Sequence, residues 1–300
     1  MKSTLLIFLD GVGIGEADPR SNPFFKYKFR IFNEIFPTPP SLDNQYMQTD
    51  GKYLFPTDAC MGVADLPQSG TGQTSIFCGV NAPEIVGHHF GPYPYSTLIP
   101  VIKEKNILQE YLNRRKKVSF VNAYPKIFFD YVNSGRTRLS VTTLSCIKSG
   151  VPLKNRTDLV NGKALSAEID NRRWVENLGY KLPIIKPVTA ARRLLKMAGQ
   201  NHFTMYEFFL TDHLGHGRYP DLKKYTLHIL DEFLYHVFQN LSEELSLVIC
   251  SDHGNLEDTS VKTHTRNPAL TITAGRNAKK LSEKINYLYD IKDAILEVNT

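Results

Sequence analysis

Three short segments of this chain are largely apolar, and each of them ends at an aspartate. The segments are residues 5–9, 203–210 and 245–250, and the aspartates that follow are Asp10, Asp212 and Asp252. Short apolar runs bounded by polar residues or glycine are typical of strands buried on both faces, as in a parallel sheet. Because ligands bind at the carboxyl edge of such a sheet, the pattern predicts that three carboxylates meet there.

Helical patterns alternate with these strands. Residues 101–116, 187–197 and 222–241 carry apolar side chains at helical spacing. This alternation predicts an α/β fold, with three α/β/α layers around a mostly parallel central sheet. Residues 124–186 are richer in Asn, Gly and Arg and less periodic, so we interpret them as an insertion or small cap within one domain spanning 1–300. Residues 24–55 carry several prolines and are predicted to form a long loop over the first strand.

Composition excludes several classes of protein. Apolar residues make up 42% of the 300 positions and charged residues 22%, as in ordinary globular proteins and unlike disordered or fibrous chains. No apolar run approaches the ~20 residues that span a bilayer, and the short N-terminal one lacks a cleavage site. The four widely spaced cysteines form no CxxC pair, which favours a reduced, cytoplasmic protein. The net charge of +6 lies in short runs typical of solvated helix ends, so we expect a small anionic partner, neither nucleic acid nor membrane.

The strongest chemical motif is the segment 211–217, which reads T-D-H-L-G-H-G. Asp212 and His216 are four residues apart, so on one helical turn they point the same way. An oxygen and a nitrogen ligand at this spacing suit a divalent transition metal. A polar loop that contains histidines by chance is the alternative interpretation.

Two further segments supply candidate ligands. Adjacent Asp252 and His253 would diverge in extended chain, but at a strand-to-loop corner both can face one metal, and Gly254 permits the unusual backbone of such a corner. His264 stands alone before a loop that ends in proline, where a surface or core histidine is the more common role. Together with Asp10, however, the set comprises three carboxylates and three histidines. That number predicts two three-ligand metal sites, each with a position left open for water or substrate.

A segment rich in hydroxyl groups and glycine, 67–75, precedes an apolar stretch that ends at Gly79. We interpret it as a loop that enters a helix, where free N–H groups favour phosphate oxygens. A serine or threonine hydroxyl at that point would be activated toward phosphorus by a metal. A flexible Gly/Ser loop is the alternative.

With these motifs the chain resembles the alkaline phosphatase superfamily, particularly its cofactor-independent phosphoglycerate mutase and phosphopentomutase branch. The resemblance covers the N-terminal third up to Gly79 and the C-terminal third from about residue 187. It implies that one metal takes Asp212, His216 and His264, and that the other takes Asp10, Asp252 and His253. Segment 69–72 is similar to the S-x-x-G nucleophile loop, which implies Ser69 as nucleophile with Thr71 as the reserve candidate.

The activity implied by this resemblance is phosphoryl transfer that depends on two divalent metals, with Mn²⁺ or Zn²⁺ favoured and Mg²⁺ as an alternative. Ser69 would attack a small phosphorylated substrate, and water or a second substrate hydroxyl would resolve the phosphoserine. Gln73 stands where the mutases usually have histidine, and segment 124–186 is too short for the large domain of the long phosphoglycerate mutases. A phosphatase or small phosphomutase is therefore favoured. A phosphodiesterase or phosphonate hydrolase, and a non-catalytic member that binds metal or a phosphorylated ligand, are the alternatives.

Other side chains are candidates for supporting roles. The guanidinium fork suits phosphate oxygens. The candidate arginines are Arg136, Arg138, Arg172, Arg173 and Arg266. Arg266 is preferred because it lies two residues from His264. Asn255, Glu257 and His213 are predicted to orient the ligands.

Overall fold

The computed structural model describes residues 2–136 and 138–299, and in this part of the chain seven strands form one sheet. They are β1 (Ser3–Leu9), β2 (Met47–Thr49), β3 (Lys52–Thr57), β4 (Val118–Phe120), β5 (Phe203–Phe208), β6 (Leu245–Cys250) and β7 (Ala269–Gly275), in the order β2-β3-β7-β6-β1-β5-β4. Strand β1 is central and parallel to β5 and β6, and β4 is parallel to β5, whereas β7, β3 and β2 extend the sheet antiparallel. The predicted α/β fold with a mostly parallel sheet is confirmed for its core.

Helices cover both faces of this sheet. They are α1 (Pro23–Lys26), α2 (Ser69–Cys78), α3 (Ala82–Val86), α4 (Leu98–Lys105), α5 (Ile107–Asn113), α6 (Lys126–Asn133), α7 (Val141–Ser149), α8 (Arg156–Val160), α9 (Arg172–Glu176), α10 (Pro187–Ala198), α11 (Leu210–Gly215), α12 (Lys223–Gln239), α13 (Ala278–Lys284) and α14 (Asp290–Val298). Alternate residues of β1 point to opposite layers. Leu5, Ile7 and Leu9 pack in the cluster that holds α10 and α12, and Leu6 and Phe8 in the cluster that holds α2, α4, α5, α7 and α14. The predicted three layers follow from this alternation.

The segment predicted as a loop, 24–55, contains two strands of the sheet. Strand β3 carries Pro56, whose missing N–H would normally exclude it from a strand with two neighbours. Pro56 lies opposite Leu270 of β7, but β2 pairs only with residues 52–54 of β3. The proline therefore leaves the ladder intact. The loop was predicted from Pro37, Pro39 and Pro40, which all lie before β2.

The helix predicted over 101–116 is two helices, α4 and α5, divided at Asn106. This buried residue has extended backbone, with φ −65° and ψ 148°. Its Oδ1 accepts a hydrogen bond from Gln109 N at 3.0 Å, and its Nδ2 donates one to Ile102 O at 2.7 Å. One side chain thus ends the first helix and caps the second.

The segment interpreted as an insertion, 124–186, contributes to two parts of the molecule. Helix α7 packs in the main core, with Val141 and Cys146 fully buried. A separate small cluster contains Leu159, Ala164 and Trp174. Helix α6 buries none of its residues, so the cap proposed from the sequence corresponds best to α6 and the small cluster.

Glu168, beside this small cluster, predicts a pH-dependent stability. Burial raises the pKa of Glu168 from 4.5 to about 7, partly opposed by hydrogen bonds that include one from Trp174 N at 3.3 Å. Between these two values the folded protein keeps the proton and the unfolded chain releases it, so stability falls as pH rises. At about 1.4 kcal/mol per pH unit, we expect Glu168 to lower the free energy of unfolding by about 3 kcal/mol between about pH 4.5 and 7. Urea unfolding across this range measures the drop.

In Glu168→Gln the drop should be smaller by about 3 kcal/mol, because this side chain no longer titrates, whereas the part that comes from buried Glu207 should remain. The exposed Glu104→Gln is the matched control and should keep the wild-type dependence. An unchanged pH dependence in Glu168→Gln would contradict the assignment.

Candidate metal centre

Four segments bring the six predicted ligands to the carboxyl edge of the sheet. Asp10 follows β1, and Asp252 and His253 follow β6. After β5 comes α11, which contains Asp212 and ends next to His216. His264 lies in the loop before β7. The strand ends are level because Leu9 pairs with Phe208 and Phe8 with Cys250. The edge therefore gathers side chains from distant parts of the chain.

The first group is formed by Asp212, His216 and His264. Asp212 Oδ1 lies 3.3 Å from His216 Nε2 and 3.5 Å from His264 Nε2, and the two nitrogens are 3.2 Å apart. Four tetrahedral ligands about 2.0–2.1 Å from a zinc ion stand about 3.3–3.4 Å apart. The three atoms therefore have the spacing of three corners of such a site.

The second group is formed by Asp10, Asp252 and His253. His253 Nε2 lies 3.4 Å from Asp10 Oδ1 and 3.5 Å from Asp252 Oδ2. The groups adjoin, since the rings of His253 and His264 stack with centroids 3.8 Å apart, and ligand atoms of Asp212, His253 and His264 lie within 4.8 Å of one another. His253 can therefore face either position.

Hydrogen bonds to backbone carbonyls fix the orientation of the three histidine rings. Nδ1 of His216 lies 2.8 Å from Lys262 O, Nδ1 of His264 2.7 Å from Pro67 O, and Nδ1 of His253 3.3 Å from Gly254 O. A carbonyl only accepts, so Nδ1 carries the hydrogen and Nε2 of the neutral ring presents a lone pair. Two lone pairs facing each other across 3.2 Å, as in His216 and His264, repel unless a cation lies between them.

The pKa values of the carboxylates and their hydrogen bonding also indicate a position that favours positive charge. Burial, followed by the nearby carboxylates of Asp252 and Asp212, raises the pKa of Asp10 well above its usual range. Although burial opposes ionisation of Asp212, its contacts with the His216 and His264 rings and the hydrogen bond from Asn255 Nδ2 hold its pKa far below that range. Asp10 Oδ1 is also buried without a hydrogen-bond partner among the described residues. Divalent cations fit both groups. They would bind this oxygen, and they would offset the repulsion between the neighbouring carboxylates.

Two of the three side chains predicted to orient the ligands lie against the cluster. Asn255 Nδ2 donates to Asp212 Oδ1 at 2.6 Å. Glu257 Oε2 accepts from Asn255 N at 2.7 Å and from Gly13 N at 2.9 Å, which joins the β6 and β1 loops. His213 instead packs its ring against Phe209 and Tyr219 and points away from this network.

Gly254 serves a different purpose from the one predicted. Its φ is not in the left-handed region, so the corner does not need unusual backbone there. A Cβ at this position would overlap Thr265 Oγ1 and the Glu257 carboxylate. Glycine is therefore required by close packing of the loops behind His253.

Ser69 is the first residue of α2, and its hydroxyl faces the cluster. Its Oγ lies 3.0 Å from His253 Nε2, and the side chain is 6% exposed and lines the cavity. Helix α2 can lie this close because Gly72 has no Cβ, which would stand 2.8 Å from Asp252 O. The N-terminal end of the helix dipole then favours an anion beside Ser69.

Thr71, the reserve nucleophile, is fully buried on another side of α2. Its Oγ1 donates to Gln68 O at 3.1 Å and accepts from Phe90 N at 3.2 Å. The hydroxyl thus fixes the loop 88–93 to the start of the helix. Gln73, which the sequence marked only as a departure, donates from Nε2 to Asp252 Oδ2 at 3.3 Å.

A cavity of about 910 Å³ opens over Ser69 and the first group. Of the candidate arginines Arg138 lines it, whereas Arg266 is exposed and lies outside its lining. Arg218 and Lys262 also line it, and the sequence offered no signal for them beyond their proximity to His216 and His264. None of the helices in the described part of the chain combines the length and apolar character that crossing a bilayer requires.

Residues 168–298 match the sequence model of the metalloenzyme superfamily, a range that contains five of the six clustered ligands but neither Asp10 nor Ser69. No curated protein sequence matches the chain significantly.

Solved structures share the fold at low identity. The PH0037 protein from Pyrococcus horikoshii has a TM-score of 0.57 and 14% identity, over 99% of this chain and 96% of that one. The alkaline phosphatase from the Antarctic bacterium TAB5 has a TM-score of 0.53 and 13% identity, over 99% and 97%. A mutant of the TAB5 enzyme in which glutamate replaces a histidine, described with Mg bound in its M3 site, has a TM-score of 0.55 and 13% identity over the same shares.

Proposed function

We propose that this chain, related to the alkaline phosphatase superfamily by its metalloenzyme match and its fold, transfers phosphoryl groups with Ser69 as nucleophile and two bound divalent metals. The observation that carries the proposal is the position of Ser69 Oγ. It lies 3.0 Å from His253 Nε2, beside both groups of ligands and open to the cavity. We propose a phosphatase or small phosphomutase acting on phosphate monoesters.

The residues that would hold the metals are Asp212, His216 and His264 for one, and Asp10, Asp252 and His253 for the other. When bound, two such ions neutralise phosphate oxygens and lower the pKa of a coordinated hydroxyl or water. Three imidazoles among six ligands favour Zn²⁺ or Mn²⁺ over Mg²⁺, which prefers oxygen ligands.

The protein's own residues supply position and charge. Ser69 Oγ forms a bond to phosphorus as the ester P–O bond breaks. The leaving oxygen takes the electron pair of that bond, and the proton lost by Ser69 is balanced by one that the leaving oxygen gains from water in the cavity, so the product departs as an alcohol. The positive end of the α2 dipole, beside Ser69, would favour the phosphoryl oxygens. Water, or a second hydroxyl of the substrate, then takes the phosphoryl group from Ser69. Catalysis of this kind rests on alignment and electrostatic stabilisation rather than on a strong acid or base.

The contacts of Thr71 support Ser69 as the attacking group. The Thr71 hydroxyl is engaged with the loop 88–93 and lies outside the lining of the cavity. Ser69 lines that cavity, and its Oγ lies beside His253 Nε2, where it would adjoin a metal held by that nitrogen.

Hydrolysis of phosphate esters after controlled metal loading tests the proposal. Protein stripped with EDTA and then reloaded with Zn²⁺, Mn²⁺ or Mg²⁺ is assayed on p-nitrophenyl phosphate and on bis-p-nitrophenyl phosphate. We expect turnover of the monoester that EDTA abolishes, with Zn²⁺ or Mn²⁺ restoring more activity than Mg²⁺. Faster turnover of the diester would replace the proposal with a phosphodiesterase. Two bound metals without turnover of any ester would indicate a binding protein.

A further inference from the structure

Five aromatic side chains line the cavity above Ser69, and two of them, Tyr124 and Phe128, stack on each other as part of an aromatic wall. The five are Tyr93, Tyr124, Phe128, Tyr131 and Phe209, joined by Leu66 and Leu139. Such a wall offers little to a phosphoryl group, which needs charge and hydrogen bonds. It suits the organic part of a ligand, and above all a planar ring, because stacked and edge-on aromatic contacts add to the burial of apolar area.

Helix α6 supplies the central part of this wall. It buries none of its residues, although Phe128 and Tyr131 turn toward the cavity while Ile127 is 68% exposed. The Phe128 ring stacks on Tyr124 with centroids 4.1 Å apart, and Tyr124 OH is held 3.0 Å from Thr143 Oγ1 on α7. The rings are thus fixed in place before any ligand arrives.

The cavity has room for a substrate larger than phosphate or a short polyol phosphate. A volume of about 910 Å³ lies near the top of the range of about 300–1,000 Å³ for pockets that enclose drug-sized ligands.

Unpaired cations also line the cavity. Arg138, Arg218 and Lys262 are exposed, and none of them forms an ion pair with a described residue. The acids that line the described cavity are Asp10 and Asp212 of the metal groups, and Glu207, whose pKa burial raises to about 7. Two divalent ions on three carboxylates carry a net charge of +1, which balances half of the charge of a phosphate monoester dianion. Three cations exceed the single negative charge that remains, so they leave positive charge available to a second anionic group.

We propose that the substrate is a phosphate monoester of a planar ring that carries a second anionic group. The ring lies against Phe128 and Tyr124, and the second anion pairs with Arg138. This inference rests on the proposed function, since the phosphate of the same molecule occupies the metal end of the cavity.

Four esters separate the contributions of the ring and of the second anion. They are 4-carboxybenzyl phosphate, benzyl phosphate, 3-phosphoglycerate and glycerol 2-phosphate. Benzyl rather than phenyl esters are chosen so that every leaving group is an alcohol. We expect kcat/KM for 4-carboxybenzyl phosphate to exceed that for glycerol 2-phosphate by about 100-fold or more, with roughly tenfold from the ring and roughly tenfold from the carboxylate.

Two variants and two controls connect the preference to the structure. Phe128→Ala should lower kcat/KM about tenfold for both benzyl esters and leave glycerol 2-phosphate unchanged. Arg138→Gln should lower it about tenfold for the two esters that carry a carboxylate, 4-carboxybenzyl phosphate and 3-phosphoglycerate, and leave benzyl phosphate unchanged. Ile127→Ala, on the outer face of α6, and Lys126→Gln, an exposed charge outside the cavity, should behave as wild type.

Binding measured by calorimetry gives a readout that does not depend on turnover. The probe is 4-carboxybenzylphosphonate, which cannot transfer its phosphorus, with methylphosphonate for comparison. Phe128→Ala and Arg138→Gln should each weaken the first about tenfold and leave the second unchanged.

Equal kcat/KM for all four esters would overturn the ring-and-anion proposal and leave the phosphoryl-transfer function standing. Losses in the variants that are the same for every ester would overturn it as well. The absence of turnover for any ester, in protein that binds two metals, would overturn the proposed function itself.

Discussion

Ser69→Ala is expected to reduce turnover of phosphate monoesters by at least about 1,000-fold, because a nucleophile that forms a covalent intermediate has no substitute in the site. The fold should remain, since the change removes one oxygen at the start of α2. Metal content should also remain, because the ligands are other side chains. Steady-state kinetics on p-nitrophenyl phosphate, with metal analysis of the same sample, measures both effects.

Thr71→Val provides the matched comparison on the same helix. It removes the reserve hydroxyl at nearly constant volume, and its cost should appear as lower stability through the lost contacts with Gln68 and Phe90. Acid quenching during turnover should trap phosphoserine in wild type and in Thr71→Val. A Ser69→Ala protein that retains wild-type turnover, or a phosphothreonine at position 71, would transfer the role to Thr71.

His264→Ala is expected to weaken binding of one metal by more than about 100-fold, and with it to abolish activity. Loss of a residue that merely orients a ligand costs about 10–100-fold in metal affinity, and loss of a ligand should cost more. His264 Nε2 lies within 3.5 Å of both His216 Nε2 and Asp212 Oδ1, so its removal opens the first group. After dialysis against low free metal, the protein should retain one ion per chain in place of two.

His213→Ala is the control for this measurement. It removes a histidine next to Asp212 whose ring packs against Phe209 and Tyr219. We expect two ions per chain in this variant. Equal metal loss in both variants would mean that the loss does not depend on removing a ligand, which would contradict the assignment. Two retained ions in His264→Ala would show that His264 is not a ligand.

The parts of the fold that could be predicted from the sequence are those with a strong local signal. Strands β1, β5 and β6 are buried on both faces, so each is a largely apolar run that ends close to an aspartate. Strand β7 alternates threonine with apolar residues and β4 has three residues, and neither pattern was recognised. The break at Asn106 depends on a tertiary bond from Ser149 Oγ at 3.0 Å as well as on local capping.

The candidate site also has a part that could be predicted from the sequence and a part that could not. Side chains at strand ends could be grouped because parallel strands end at a common edge, and the six side chains predicted to bind metal lie together at that edge. The cavity could not be predicted. Helix α6 contributes aromatic residues to the lining of the cavity, and the cations of the lining come from three separate loops. Arg138 and Lys262 are far apart in the sequence, so no sequence pattern indicates that they line the same cavity. Arg266 was preferred for its closeness to His264 in sequence, but a side chain two residues away can point to the other side of a loop.

The central position of β1 has a consequence for synthesis on the ribosome. Thr4 pairs with Phe203 on one side and with Ser246 on the other, so both neighbours of the first strand are translated only in the last third of this sequence. At about 5–20 residues per second, this strand emerges about 10–40 s before either partner exists. We expect the nascent polypeptide to need a chaperone over that interval, and newly made protein to become protease-resistant only after its C-terminal third is released.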